Sequence, residues 1–129
     1  SKATSNICTN QALCALRAHI YLSLVGREGL RQVARLCREK AEYARRRLAA
    51  LPGIDVMESS PTFHEFTVRL PVDAGECVGR MIERGFAAGF PLGRYYPEMN
   101  NYLLVAVTEK RSKYEIGHFA DSLEDVLCR

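Results

Sequence analysis

Between Ala12 and Val25 the apolar residues do not keep to one side of the chain. Ala12, Leu13, Cys14, Ala15, Leu16, Ala18, Ile20, Tyr21, Leu22, Leu24 and Val25 cover a whole helical circumference, with only Gln11, Arg17, His19 and Ser23 between them. A helix that is apolar all round belongs in an interior, whereas a small domain with one core usually leaves one helix face wet. The pattern therefore predicts a helix that packs on something these residues do not supply, and the chain reads as a fragment. Ahead of it, Lys2 to Gln11 is small and polar, with Thr4, Ser5, Asn6, Thr9 and Asn10 all able to accept from the free N–H groups of a first helical turn. A helix start is predicted there without the capping residue being fixed. Gly26 is a plausible C-terminal stop, and Gly29 a short break.

From about Leu30 to Leu51 the period is that of an amphipathic helix. Leu30, Val33, Cys37, Ala41, Ala44, Leu48 and Leu51 form one stripe, widened by Leu36 and Tyr43, and Arg31, Arg35, Arg38, Glu39, Glu42 and Arg46 take the other side. Pro52-Gly53 ends it. Ile54 to Met57 alternates as a short strand. In Phe63 to Leu70, His64, Phe66, Val68 and Leu70 share one face, and the short link predicts an antiparallel hairpin. Asp73 and Glu76 have the spacing of a capping box for a helix through Val78, Met81 and Ile82 to Gly85. Phe86 to Asn101 is a long loop rich in Gly, Pro and aromatics, a composition more often functional than idle. Tyr102 to Val107 is a continuous apolar run, read as a strand covered on both faces. Thr108 or Ser112 caps a last helix whose apolar side is Tyr114, Ile116, Phe119, Leu123, Val126 and Leu127. The order is α-α-β-β-α-β-α, with room for one more short strand near Phe86. It predicts an α+β domain with helices packed on a small mixed or antiparallel sheet.

Composition narrows the class. The chain has 129 residues, 47% hydrophobic and 26% charged, with a net charge of +3, which is ordinary for a soluble domain. The charge is mild, and the Arg45-Arg46-Arg47 run sits on a helix, where a solvated face explains it without nucleic acid. Five cysteines, an odd number with no C-x-x-C pair, argue for reduced, mostly buried thiols in a cytoplasmic protein. The three histidines are scattered and offer no metal-ligand spacing. Arg17 and His19 interrupt the longest apolar stretch well short of the roughly 20 residues a membrane span needs.

Candidate chemistry is thin. His64 on the apolar face of its strand reads first as a hydrogen-bonded core residue and second as a catalyst. Arg94, between Gly93 and two tyrosines, could clamp a carboxylate, or be an exposed loop arginine. Glu109 and Arg111 stand at a strand-to-helix turn, where ligands often bind in α/β sheets, or simply complement helix charge. A cofactor aldehyde needs a lysine in a partly desolvated pocket; Lys2, Lys40, Lys110 and Lys113 are all badly placed for that. No phosphate loop or nucleophile elbow occurs. The residues alone describe an accessory domain without a complete active site.

Several segments nevertheless carry a family signature. Lys2 to Leu13, Gly29-Leu30, Leu51-Pro52-Gly53, Phe63 with Glu65-Phe66, Arg69-Leu70-Pro71, Leu92-Gly93-Arg94 with Tyr96-Pro97, and Val107 to Arg111 resemble, in order and nearly end to end, the glycine cleavage system P-protein family, in particular the subunit 1 chains of the split bacterial glycine dehydrogenase (decarboxylating). The resemblance implies a pyridoxal-phosphate enzyme of the aspartate-aminotransferase type (fold type I), of which this would be the C-terminal small domain. Residues 1–29 would be a connecting segment and apolar helix lying on a missing large domain or partner, and 30–129 the small domain. It implies an oligomeric enzyme that decarboxylates glycine and passes the aminomethyl group to lipoyl H-protein, with the cofactor lysine on subunit 2. His64, where the family pattern has asparagine, and Gly89-Phe90-Pro91, which replaces a more glycine-rich turn, depart from it. No catalytic, cofactor or metal residue is therefore carried onto this chain, and Arg94 and His64 remain candidates for substrate binding only.

Two other readings stay open. The chain could be the small domain of another fold type I enzyme, such as an aminotransferase or a cysteine desulfurase, which calls for a buried carboxylate-binding arginine; Arg69 and Arg94 are the candidates. It could also be a free-standing binding module using the Phe86–Asn101 loop, which calls for a monomer without a large exposed apolar patch.

Overall fold

The computed structural model describes residues 11–57 and 62–128. The polar segment before Gln11, Cys8, and the connection through Pro61 lie outside the described residues. The chain divides into two compact units between Ala34 and Arg35. Its elements are α1 (Gln11–Ala49), β1 (Asp55–Val56), β2 (Glu65–Arg69), α2 (Ala74–Glu83), β3 (Phe90–Pro91), β4 (Tyr102–Ala106) and α3 (Lys113–Leu127), with single 3-10 turns at Leu92–Arg94 and Pro97–Met99.

In the first unit, helix α1 breaks at Gly26, which takes φ 64° and ψ −177°. This left-handed φ is open to glycine and strained for other residues. The expected break at Gly29 is not there; that residue stays helical, and the single interruption lies at Gly26. Residues 11–24 are exposed along their whole length, with Leu13 at 60% and Leu24 at 82% of full exposure.

The second unit has a conventional core. The stripe on the later part of α1 buries Cys37, Ala41, Ala44 and Leu48, as a 3.6-residue period dictates; Leu30, in the first unit, is exposed. Glu42 accepts from Arg45 at 2.9 Å and lies 3.8 Å from Arg46, four residues further on. The sheet order is β1-β2-β4-β3, and among the described residues every pairing is antiparallel, so the mixed alternative is not realised there. β2 and β4 pair along their full length, with Phe66 opposite Val105 and Val68 opposite Leu103. Phe66, Val68 and Leu70 turn inward together with Leu103, Val105 and Val107.

β4 departs from expectation. Only alternate residues are buried and Ala106 is exposed, so its continuous apolar run is not covered on both faces. Helices α2 and α3 close the core with Ala74, Cys77, Met81, Ile116, Ala120, Leu123 and Val126. Burying side chains such as Met81 and Leu123 stabilises the fold by about 1.5–3 kcal/mol each before entropy is counted. Ile82 and Tyr114, assigned to apolar faces by spacing, are instead 62% and 80% exposed, because each sits at the margin of its stripe. The cap of α2 is one-sided: Asp73 accepts from the Glu76 N–H at 2.9 Å. At α3 the box is complete, with Ser112 accepting from the Glu115 N–H and the Glu115 carboxylate accepting from the Ser112 N–H. Cys37 and Cys77 are buried as free thiols, but Cys14 and Cys128 are exposed, so burial of the thiols is only half right among the described residues.

Candidate functional site

The long loop is not structureless. Phe90-Pro91 pairs with Leu104 and Leu103, supplying the extra strand that the sequence placed near Phe86. The two 3-10 turns follow it. At Gly93 a Cβ would lie 2.6 Å from the Asn100 Cα, so only glycine lets the two turns close on each other. Asn100 and Asn101 tie this turn pair to the sheet and to α2: Leu70 N–H donates to Asn101 O and Ala74 N–H to Asn100 O, both at 2.8 Å, and the Asn101 amide donates to Leu70 O at 3.2 Å.

Asp73, Gly75, Pro91, Gly93, Arg94 and Asn100 line a cleft of about 320 Å³ at this end of the sheet. Arg94 is exposed on its rim, and among the described residues no hydrogen bond or ion pair engages its guanidinium. The Asp73 carboxylate is already committed to capping α2. Tyr95 stacks on Phe90 with ring centroids 5.7 Å apart, and Tyr96 is exposed beside it. Chemically the cleft offers one cation and polar backbone, with no nucleophile and no acid–base pair.

His64 is elsewhere. It precedes β2, where its carbonyl accepts from Val107 N–H at 2.8 Å, and so sits at the opposite end of β4 from Arg94. Its side chain is 38% exposed and its Nε2 lies 3.7 Å from Glu65, with the Phe63 ring edge-on at 4.9 Å. The buried-core reading of His64 is thus corrected: β2 begins only at Glu65, and its buried face of Phe66, Val68 and Leu70 does not extend back to His64. The two candidates do not converge on one site.

Glu109 proves to be the most connected of the turn residues. Its backbone N–H donates to the Cys37 sulfur at 3.3 Å, its carboxylate accepts from the Cys37 thiol at 3.3 Å, and its carbonyl accepts from the Lys40 ammonium. The hydrogen bond to Cys37 is the main reason the Glu109 carboxyl lies below the usual carboxylate range, while burial pushes the Cys37 thiol up. Lys40 is half-buried in this contact. No local pattern could have signalled it, since 72 residues separate Cys37 from Glu109. Arg111 pairs with Glu115 at 3.2 Å, the helix-charge role. Arg69 lies on the exposed face of β2 paired with Asp55, so neither Arg69 nor Arg94 is the buried carboxylate-binding arginine of an aminotransferase-like site.

The described lysines do not fit pyridoxal phosphate. Lys40 is engaged with Glu109, Lys113 lies over the Tyr43 ring at 5.6 Å, and Lys110 is exposed on the turn; none lines the cleft. Among the described residues no group of three His, Cys, Asp or Glu could hold a metal ion, and no helix is long and apolar enough to cross a membrane.

Comparison with solved structures defines the class. An aminotransferase, TlmJ from Streptoalloteichus hindustanus, matches 78% of the chain with a TM-score of 0.59 at 18% identity, over 34% of its own length. A glycine decarboxylase (P-protein) of the glycine cleavage system, solved in inhibitor-bound form, matches 98% of the chain with a TM-score of 0.86 at 36% identity, over 28% of its length. The fold is therefore an α+β domain of the aspartate-aminotransferase type, pyridoxal-phosphate fold type I. The family model for the glycine cleavage system P-protein matches residues 1–123, and the chain belongs to that family. Probable glycine dehydrogenase (decarboxylating) subunit 1 of Nitratidesulfovibrio vulgaris is 55% identical over 127 residues, and that of Geotalea uraniireducens 54% identical over 126. Each alignment covers 98% of this chain but only 29% and 28% of the relative. The chain thus spans less than a third of the length of these relatives; the C-terminal placement that the resemblance implied is not part of what the matches show.

Proposed function

We propose that this chain is an architectural and interface-forming piece of a glycine dehydrogenase (decarboxylating) subunit 1, inactive by itself and active as part of an oligomeric cytoplasmic enzyme. In that enzyme glycine loses carbon dioxide and the aminomethyl group passes to lipoyl H-protein. Pyridoxal phosphate would supply the electron sink for decarboxylation, held by a lysine of subunit 2. The role of this chain's own residues is to position: residues 30–129 present a packed domain, and 1–29 carry a helix onto the remainder of the polypeptide or onto a partner subunit.

The observation that carries this reading is the exposed apolar surface of residues 11–24, taken with family membership. Leu13, Leu16, Ile20, Tyr21, Leu22 and Leu24 are all exposed, an arrangement that water disfavours by about 25 cal/mol per Å² of apolar surface. It also counts against a free-standing binding module. Arg94, with its unengaged guanidinium at a cleft, is proposed as the residue that meets a carboxylate in the assembly.

The test is to produce the remainder of the polypeptide separately and mix it with this chain, reading the mass of the product by size-exclusion with light scattering. A stable one-to-one complex, lost on Leu16→Asp with Ile20→Asp, is the expected result. A chain that stays monomeric and ignores the remainder would refute the interface role. Glycine decarboxylation with subunit 2 and H-protein is then assayed on the complex, where recovery of activity is expected only when both pieces are present.

A further inference from the structure

The turn between β4 and α3 is anchored firmly on both flanks and weakly in the middle. On one side Val107 is buried and its N–H donates to His64 O; on the other, Ser112 and Glu115 close the capping box of α3. Between them, Lys110 and Arg111 are exposed, and the turn itself contributes a single backbone hydrogen bond, Arg111 N–H to Thr108 O at 3.2 Å. What holds it against α1 is Glu109, gripped at its N–H, its carboxylate and its carbonyl by Cys37 and Lys40, which lie one helical turn apart. The same contacts occupy both hydrogen-bonding capacities of the Cys37 sulfur and leave that residue 6% exposed.

We propose that Cys37, Lys40 and Glu109 form a clasp that holds the 108–111 turn on α1 and gates the Cys37 thiol, so that local opening of this turn is the event that exposes it. Segments fixed at both ends but held by few contacts open locally, at lower free energy than the whole domain. Cys77 provides the contrast: it is fully buried on α2 as part of the hydrophobic core.

The experiment is maleimide labelling of the full polypeptide that carries this chain, resolved by mass spectrometry of the individual cysteine peptides. Glu109→Ala removes the carboxylate that accepts the thiol and is expected to raise the Cys37 labelling rate about tenfold, the change that losing roughly one hydrogen bond produces. Glu109→Gln keeps an acceptor oxygen and should leave Cys37 close to its unsubstituted rate. In the unsubstituted protein, Cys37 labelling should be nearly independent of sub-denaturing urea, as befits an opening that exposes little surface, while Cys77 follows the steep slope of global unfolding. Cys128, exposed on the turn that ends α3, labels at once in every case. Equal urea slopes at Cys37 and Cys77, or a Glu109→Ala protein with Cys37 as protected as before, would overturn the gate. The urea comparison needs no variant and decides the matter even if Glu109→Ala fails to fold.

Discussion

Two glycine-to-alanine substitutions should move stability in opposite directions. At Gly93 the new Cβ would lie 2.6 Å from the Asn100 Cα and 3.2 Å from the Asn100 N and Cβ. The contact is with backbone, so no side-chain rotation relieves it. Separating the two turns would strain the hydrogen bonds from Ala74 N–H to Asn100 O and from Leu70 N–H to Asn101 O. Overpacking of this kind costs about 1–3 kcal/mol, and each weakened hydrogen bond adds up to about 1 kcal/mol. Alanine returns about 0.4–1 kcal/mol by restricting the unfolded chain, so the net expectation is destabilisation by about 1–3 kcal/mol. At Gly79, inside α2, a Cβ meets nothing within 4 Å. There the helical preference of alanine should stabilise by about 0.5–1 kcal/mol. Urea unfolding followed by circular dichroism gives both numbers, with the midpoint falling for Gly93→Ala and rising for Gly79→Ala at an unchanged slope. A Gly93→Ala protein as stable as the parent would refute the close approach, and with it the packed geometry of the 92–101 segment.

Ser112→Ala removes the oxygen that accepts from Glu115 N–H and should cost about 1 kcal/mol in the same urea assay. Glu115 is held below the ordinary carboxylate range, chiefly by the Ser112 N–H. A depressed folded pKa means its contribution is present above the unfolded value near 4.3 and disappears as pH falls through the folded value. The stability difference between the parent and Glu115→Gln should therefore shrink as thermal melts are taken from neutral pH to below about 4. Leu103→Ala, at a fully buried site on β4, should cost about 2–5 kcal/mol through lost burial and a residual cavity, seen as a lower urea midpoint.

Local physics made much of this fold legible. The later part of α1 follows from its 3.6-residue stripe, β2 from its alternation, and the start of α3 from the Ser112–Glu115 spacing, because each signal lies within a few residues. β3 is two residues long and ends in Pro91, so it carries almost no strand signal and exists through its register with β4. The run from Tyr102 to Val107 misled because apolar residues on an exposed strand face look the same in sequence as residues covered on both faces. Arg94 was legible as an unusual loop residue from its Gly and Tyr neighbours. The Cys37–Glu109 contact was not, because it joins two elements far apart in the chain and both residues have ordinary explanations where they stand. Family-level resemblance reached further than spacing could, since it draws on short motifs spread along nearly the whole chain.

The order β1-β2-β4-β3 has a consequence for how copies of this protein can meet. Both border strands are only two residues long. One carries Asp55, whose carboxylate pairs with Arg69, and the other ends in a proline that has no N–H to offer. Among the described residues, a sheet bordered in this way presents almost no unpaired ladder to a neighbouring chain. Strand exchange and edge-to-edge aggregation are thereby discouraged even when the apolar helix is bare. Whatever this chain associates with should meet side chains rather than extend the sheet, and mistakes in association should be greasy and reversible rather than fibrous.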